Sequence, residues 1–91
     1  MKGDSPDIAA VVLTYNERER IGNCLTSLTW ADEMVVVDSG SEDGTAELAA
    51  DLGAAVFRRD FMNFADQRNF ALESVEAAWV LFVDADEQVT P

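Results

Sequence analysis

Three short, uniformly apolar runs constrain the fold more than any other feature of the chain: Ile8-Ala9-Ala10-Val11-Val12-Leu13, Met34-Val35-Val36-Val37 and Trp79-Val80-Leu81-Phe82-Val83. None alternates apolar with polar residues, so each reads as a strand buried on both faces, the pattern of a parallel sheet. Parallel neighbours need a crossover connection, usually a helix, and helical signals fill the gaps. Asn16 followed by Glu19 reads as a capping box, after which Ile21, Leu25 and Leu28 recur at helical spacing. The turn cluster Ser39-Gly40-Ser41-Glu42-Asp43-Gly44 leads into a helix over Thr45 to Leu52, which Gly53 ends in a left-handed conformation. Ala54 to Arg58 is a further strand, and Phe64, Arg68, Leu72 and Val75 mark one stripe of a third helix. The order βαβαβαβ predicts an α/β domain with a mainly parallel sheet and right-handed crossovers.

With 91 residues the chain is expected to be one domain spanning 1–91, or a fragment of a larger one. No repeat or linker-like tract divides it. Eighteen acidic residues against six basic ones give a net charge of -12, which argues against nucleic acid or an anionic membrane surface as partner. Cys24 is the single cysteine, so no intrachain disulfide forms and a reducing compartment is expected. Met1 to Asp7 lacks the pattern of a signal peptide, and Ile8 to Leu13 is far shorter than the ~20 residues of a membrane span. A cytoplasmic chain without a membrane segment follows as the expectation; a parent enzyme at the inner face of a membrane is compatible with it.

Parallel sheets bind ligands beyond the carboxyl ends of their strands. The clusters there are Thr14-Tyr15-Asn16-Glu17, Asp38-Ser39-Gly40-Ser41 and Asp84-Ala85-Asp86-Glu87. Any one of them alone reads equally as a solvated turn or helix cap; three at one sheet edge suggest a site. Asp84 and Asp86, two residues apart on extended chain, lie on one face roughly 6.5–7 Å apart. Two carboxylates so placed repel unless a cation neutralises them, and hard oxygen ligands suit Mg²⁺ or Mn²⁺. Glu87 reads more simply as a surface acid. Tyr15 offers a flat face for a nucleobase. Arg68 is shaped for bidentate phosphate recognition, with an ion pair to Asp66 as the competing reading. Arg58 and Arg59 read as surface charge, and Asp43 with Gly44 as a helix-start turn.

Taken in order, these motifs resemble the family-2 inverting glycosyltransferases of the GT-A fold, a Rossmann-like architecture. The likeness rests on Thr14-Tyr15-Asn16-Glu17 after the first apolar run and on Val35-Val36-Val37-Asp38-Ser39-Gly40-Ser41 with Asp43-Gly44-Thr45. Gln67-Arg68-Asn69, then Phe82-Val83-Asp84-Ala85-Asp86-Glu87 and Pro91, complete it. It covers residues 8 to 91, and the Gln67-Arg68-Asn69 and Asp84 to Glu87 segments look closest to bacterial lipopolysaccharide-core enzymes. The resemblance implies a nucleotide-diphosphosugar donor, a UDP-sugar by preference, and a glycan or glycolipid acceptor. It implies Asp86 as ligand of a divalent metal, Asp84 at the ribose or the metal's water shell, and Tyr15 packed on the base. Thr14, Glu17 and Asp38 would line the nucleoside site, and Arg68 would lie near the ribose or diphosphate. Ser39 departs from the pattern, since many relatives carry a second acid there that can contact the base. Relatives also continue beyond the position of Pro91 with further strands, an acceptor site and an acidic general base. The chain is therefore expected to be the donor-binding part, inactive by itself and prone to self-association through an exposed sheet edge. A sugar nucleotidyltransferase would want a Gly-rich loop, absent from Thr14 to Arg20; a dehalogenase-type phosphatase would carry its acid pair on the first strand. A receiver-like module would need a late lysine, whereas the only lysine is Lys2. A non-catalytic binding module remains as the alternative.

Overall fold

The computed structural model describes residues 7–60, 62–75 and 77–85. Strands β1 (Ile8–Thr14), β2 (Glu33–Asp38), β3 (Ala55–Arg58) and β4 (Trp79–Asp84) alternate with helices α1 (Arg18–Thr26), α2 (Thr45–Asp51) and α3 (Phe64–Ser74). All strand pairs are parallel, in the order β3-β2-β1-β4. The chain thus steps outward from β1 to β2 to β3, then returns across the sheet to place β4 on the other side of β1.

Successive residues of a strand point to opposite faces, so the continuous apolar runs supply two cores at once. On one face Ala10, Val12, Val36 and Val83 pack with Ile21, Cys24, Leu25 and Leu28 of the α1 segment and Ala49 of α2. On the other, Val11, Val35 and Val37 pack with Ala71 of α3, flanked by Phe57, Phe70, Val75, Val80 and Phe82. Each Val or Leu so buried contributes about 1.5–3 kcal/mol of transfer free energy. β1 and β2 are the most deeply enclosed because both faces are covered along their length.

Two expectations are corrected. Asn16 does not cap α1. Its backbone is left-handed (φ +53°), whereas an N-cap is extended. Its N–H donates to Ser41 Oγ (2.7 Å) and its Oδ1 accepts from the Glu42 N–H (2.9 Å), so the side chain is committed to the loop after β2. The helix opens at Arg18 instead, with Glu17 as N-cap and the Glu17 N–H donating to Thr45 Oγ1 (2.9 Å). The α3 stripe is also shifted. Arg68 and Leu72 are exposed, and the buried face carries Gln67 and Ala71.

Loop closure at the carboxyl ends of β1 and β2 centres on Asp43, which holds two helix starts together. Its carboxylate accepts from the Arg18 N–H (3.2 Å) at the first residue of α1 and from the Thr45 N–H (3.0 Å) and hydroxyl at the first residue of α2. A negative charge there also complements both helix dipoles. The Thr45 hydroxyl, above all, holds the Asp43 carboxyl below its ordinary value. Gly44 beside it has φ +91°, a left-handed backbone that a side chain would strain, so glycine serves the turn. Gly53 ends α2 with φ +98°, as expected. Among the described residues no helix is long and apolar enough to cross a membrane.

Candidate functional site

In an open parallel sheet the ligand crevice lies where neighbouring strands are followed by connections that diverge. Here that point lies between β1 and β4, where the strand order β3-β2-β1 gives way to β4 on the other side. The register pairs Thr14 with Asp38 and Leu13 with Asp84. Thr14, Tyr15, Asp38, Ser39 and Asp84 therefore gather at the carboxyl ends of three adjacent strands, Asp84 one residue short of the Thr14–Asp38 level and Tyr15 and Ser39 one beyond it.

Asp38 is fully buried at the end of β2. Its Oδ1 accepts from Thr14 Oγ1 (2.7 Å) and Ser41 Oγ (2.6 Å), and its Oδ2 from the N–H groups of Ser41 (2.8 Å) and Gly40 (3.1 Å). Burial pushes the carboxyl up, but the hydrogen bonds from the Ser41 and Thr14 hydroxyls and the Ser41 and Gly40 amides outweigh it. The net effect holds Asp38 below its ordinary value of 3.8. An ionised carboxylate with four internal donors organises the loop that follows β2 and locks it to the end of β1. Thr14, also buried, is its partner across the strands. The Ser39 N–H donates to the Thr14 carbonyl (2.9 Å), continuing the ladder into the loop.

Tyr15 is 60% exposed directly beyond this pair, one residue past the end of β1. Glu17 is the N-cap of α1, with its carboxylate on Arg20 (2.8 Å). Asp84 is exposed at the end of β4, and its carbonyl accepts from Cys24 Sγ (3.6 Å), a weak bond tying α1 to this strand end. Cys24 is accordingly a packed core residue. Asp86, Glu87 and Pro91 lie outside the described residues. Among the described residues no group of three or more metal-ligating side chains occurs, so Asp84 is the described member of the expected acid pair.

Arg68 projects from α3 with its guanidinium 5.7 Å from the centre of the Phe82 ring of β4, two residues before Asp84. It does not pair with Asp66. That carboxylate instead takes Arg59 in a bidentate pair (3.0 and 3.1 Å), and Arg59 also lies 4.7 Å over the Phe70 ring. Arg59 is thus more than surface charge, while Arg58, paired to the exposed Glu47, is just that. The Arg59 hydrogen bonds are the main reason Asp66 is held below its ordinary value. Sequence reasoning also gave no individual role to Gln67, a fully buried amide bonded to Ser39 and to the Arg59 carbonyl. Its place inside Gln67-Arg68-Asn69 is the signal that pointed there.

The pH dependence of stability follows from these carboxylates. Asp38, Asp43 and Asp66 all have folded values below the ordinary 3.8, so their contribution is complete above that value and is lost as pH falls through the folded values. Urea midpoints are expected to be level from about pH 7 to 5 and to fall steeply below about pH 4. Asp38→Asn, measured over the same series, is expected to flatten part of that fall.

Residues 9–91 match the glycosyl transferase family 2 model. The chain belongs to that family. It is 38% identical over 87 residues to the lipopolysaccharide core biosynthesis glycosyltransferase LpsC of Rhizobium meliloti, covering 90% of this chain and 32% of that protein. Among solved structures it superposes on S. aureus TarS with a TM-score of 0.81 and 31% identity, over 92% of this chain and 28% of that one. It also superposes on glucosyl-3-phosphoglycerate synthase of Mycobacterium tuberculosis in complex with Mn²⁺, UDP-glucose and phosphoglyceric acid. There the TM-score is 0.73 with 27% identity, over 96% of this chain and 36% of that one. The sheet described above is therefore a GT-A, Rossmann-like sheet, as expected. The chain spans about 30% of the length of the curated family-2 relatives it matches.

Proposed function

We propose that this chain forms the nucleotide-diphosphosugar and divalent-metal site of an inverting family-2 glycosyltransferase. The observation that carries the reading is the gathering of Tyr15, Ser39 and Asp84 at the carboxyl ends of β1, β2 and β4, with Tyr15 and Ser39 level and Asp84 opposite Leu13, two residues back. A structural neighbour solved with Mn²⁺, UDP-glucose and phosphoglyceric acid supports the donor and metal classes. A UDP-sugar is the donor, and a glycan or glycolipid is the acceptor, in keeping with the lipopolysaccharide-core relative.

The donor set fits a hard cation. Asp84 offers an exposed carboxylate at the site, Asp86 follows two residues on, and Mg²⁺ and Mn²⁺ fill their remaining positions with water and substrate phosphates. Such an ion neutralises phosphate charge and favours departure of the nucleoside diphosphate. It also answers the net charge of -12, which otherwise repels the donor. The protein's own groups bind and orient: Tyr15 stacks on the base, and Asp38 with Thr14 holds the β2 loop in shape. Glu17 fixes the start of α1 beside the nucleoside, and Arg68 supplies positive charge from the α3 side. In the complete enzyme the acceptor hydroxyl attacks the anomeric carbon in line with the departing diphosphate. Its proton goes to a carboxylate base in the portion of the relatives that this chain does not span. The chain by itself binds donor without turnover and works in the cytoplasm, the whole enzyme at the inner membrane face. The outer edge of β4, with Trp79 72% exposed, drives its self-association.

A thermal melt tests this reading. Ligand at a hundred times its Kd stabilises by about 2.7 kcal/mol, which for a domain of this size raises Tm by roughly 10–20 °C. UDP with Mn²⁺ is expected to produce that rise, and UDP with EDTA to produce little. Equal melts under both conditions would argue against a metal-dependent donor site.

A further inference from the structure

Among the described residues, Gln67 Oε1 is the buried side-chain polar atom without a hydrogen-bond partner. Its amide nitrogen, by contrast, has two, Ser39 Oγ (2.9 Å) and the Arg59 carbonyl (3.4 Å). The Arg59 carbonyl can only accept, so the nitrogen is the atom that must face it. The amide turned over would set two carbonyl oxygens against each other. Gln67 is therefore oriented by what surrounds its nitrogen, at the expense of its own oxygen.

This orientation fixes the chemistry of Ser39. A hydroxyl has one donor proton and two acceptor positions. Because the Gln67 nitrogen only donates, Ser39 Oγ must accept from it, and what remains to present is its O–H. Among the described residues that O–H has no acceptor. Ser39 is half-buried and lies one residue beyond the register pair Thr14 and Asp38, level with the exposed residue Tyr15. The end of β2 and the end of β4 lie on opposite sides of β1. Two strand spacings of about 4.8 Å, with Asp84 two residues short of the level of Ser39, put those two residues roughly 11–12 Å apart. That distance leaves room for a ribose between a base held at Tyr15 and Ser39 and phosphates held at Asp84.

We propose that Gln67 is a positioning residue that gives Ser39 donor polarity, so that Ser39 reads an acceptor oxygen on the edge of the bound nucleobase. The inference rests on the nucleotide-site reading above and deepens it. It names the 4-carbonyl of uracil, where cytosine carries an amino group, as the feature selected, and a side chain with no direct contact to the ligand as the cause.

Gln67→Glu inverts the polarity. At pH 8 the ionised carboxylate of that variant only accepts, takes the Ser39 proton in a hydrogen bond and leaves Ser39 an acceptor. Calorimetry of the full chain with Mn²⁺ would compare UDP with CDP, whose base carries an amino group where uracil has a carbonyl. The wild-type protein is expected to prefer UDP, and Gln67→Glu to lower the UDP-over-CDP ratio at least tenfold. Ser39→Ala, which removes the donor at a half-buried position and leaves Gln67 in place, is expected to lower the ratio as well. It decides the matter if circular dichroism shows Gln67→Glu unfolded. A purely structural Gln67 would weaken both nucleotides by one factor, and an unchanged ratio in the folded variants overturns this inference alone. A wild-type protein that binds neither nucleotide overturns the site reading and this inference with it.

Discussion

Asp38→Ala is expected to destabilise the domain by about 3 kcal/mol, since it leaves two hydroxyls and two backbone N–H groups without their shared acceptor in a buried place. Folded domains of this length are held by only ~5–14 kcal/mol, so the loss is a large part of the whole. It corresponds to a fall in Tm of roughly 12–24 °C. Asp38→Asn is expected to cost far less. Its carbonyl can accept from Gly40 and Ser41, while its amide donates to the Thr14 and Ser41 hydroxyls, which rotate to receive it. Paired urea and thermal denaturation of the two variants checks this. Similar losses in both would mean that the charge, rather than the hydrogen-bond count, holds the loop.

The second large effect belongs to ligand binding. Replacing even an indirect supporter of a metal ligand commonly costs 10–100-fold in metal affinity. Asp86→Ala is accordingly expected to weaken metal-dependent UDP binding by at least ~100-fold. Fold and melting temperature without ligand should stay close to those of the wild-type protein. Asp84→Asn is expected to act in the same direction with a smaller loss. The separation of stability from binding is what distinguishes these acids from Asp38. Titration of UDP into each variant at saturating Mn²⁺ gives the ratio directly.

The strands were legible because a parallel sheet covered on both faces demands unbroken apolar runs, and Val11-Val12 and Val35-Val36-Val37 feed both cores from adjacent positions. Gly53 was legible as a terminator for a purely local reason, its left-handed backbone. The face of α3 was not. Periodicity follows large apolar residues, whereas this helix buries an amide and an alanine, Gln67 and Ala71, and exposes Leu72. Asn16 and Glu19 have the spacing of a capping box, but Asn16 is claimed by Ser41 and Glu42, partners 25 and 26 residues away. No local pattern reveals such a partner. The same holds at the site. The placement of Tyr15, Asp38 and Asp84 at the strand ends could be read because the sheet brings carboxyl termini together. The four-donor cradle of Asp38, the Arg59–Asp66 pair and the Gln67–Ser39 contact depend on side chains meeting across elements. Family membership and the GT-A sheet agree with the resemblance carried by the motifs.

The proposed donor site at the carboxyl ends of β2, β1 and β4 holds a nucleoside diphosphate together with a divalent ion. Calorimetric titration of UDP into the folded wild-type chain, with Mn²⁺ and again with EDTA, tests it most directly. Saturable one-to-one binding that EDTA abolishes is the predicted result. Binding of equal strength in EDTA, or none in Mn²⁺, would contradict it.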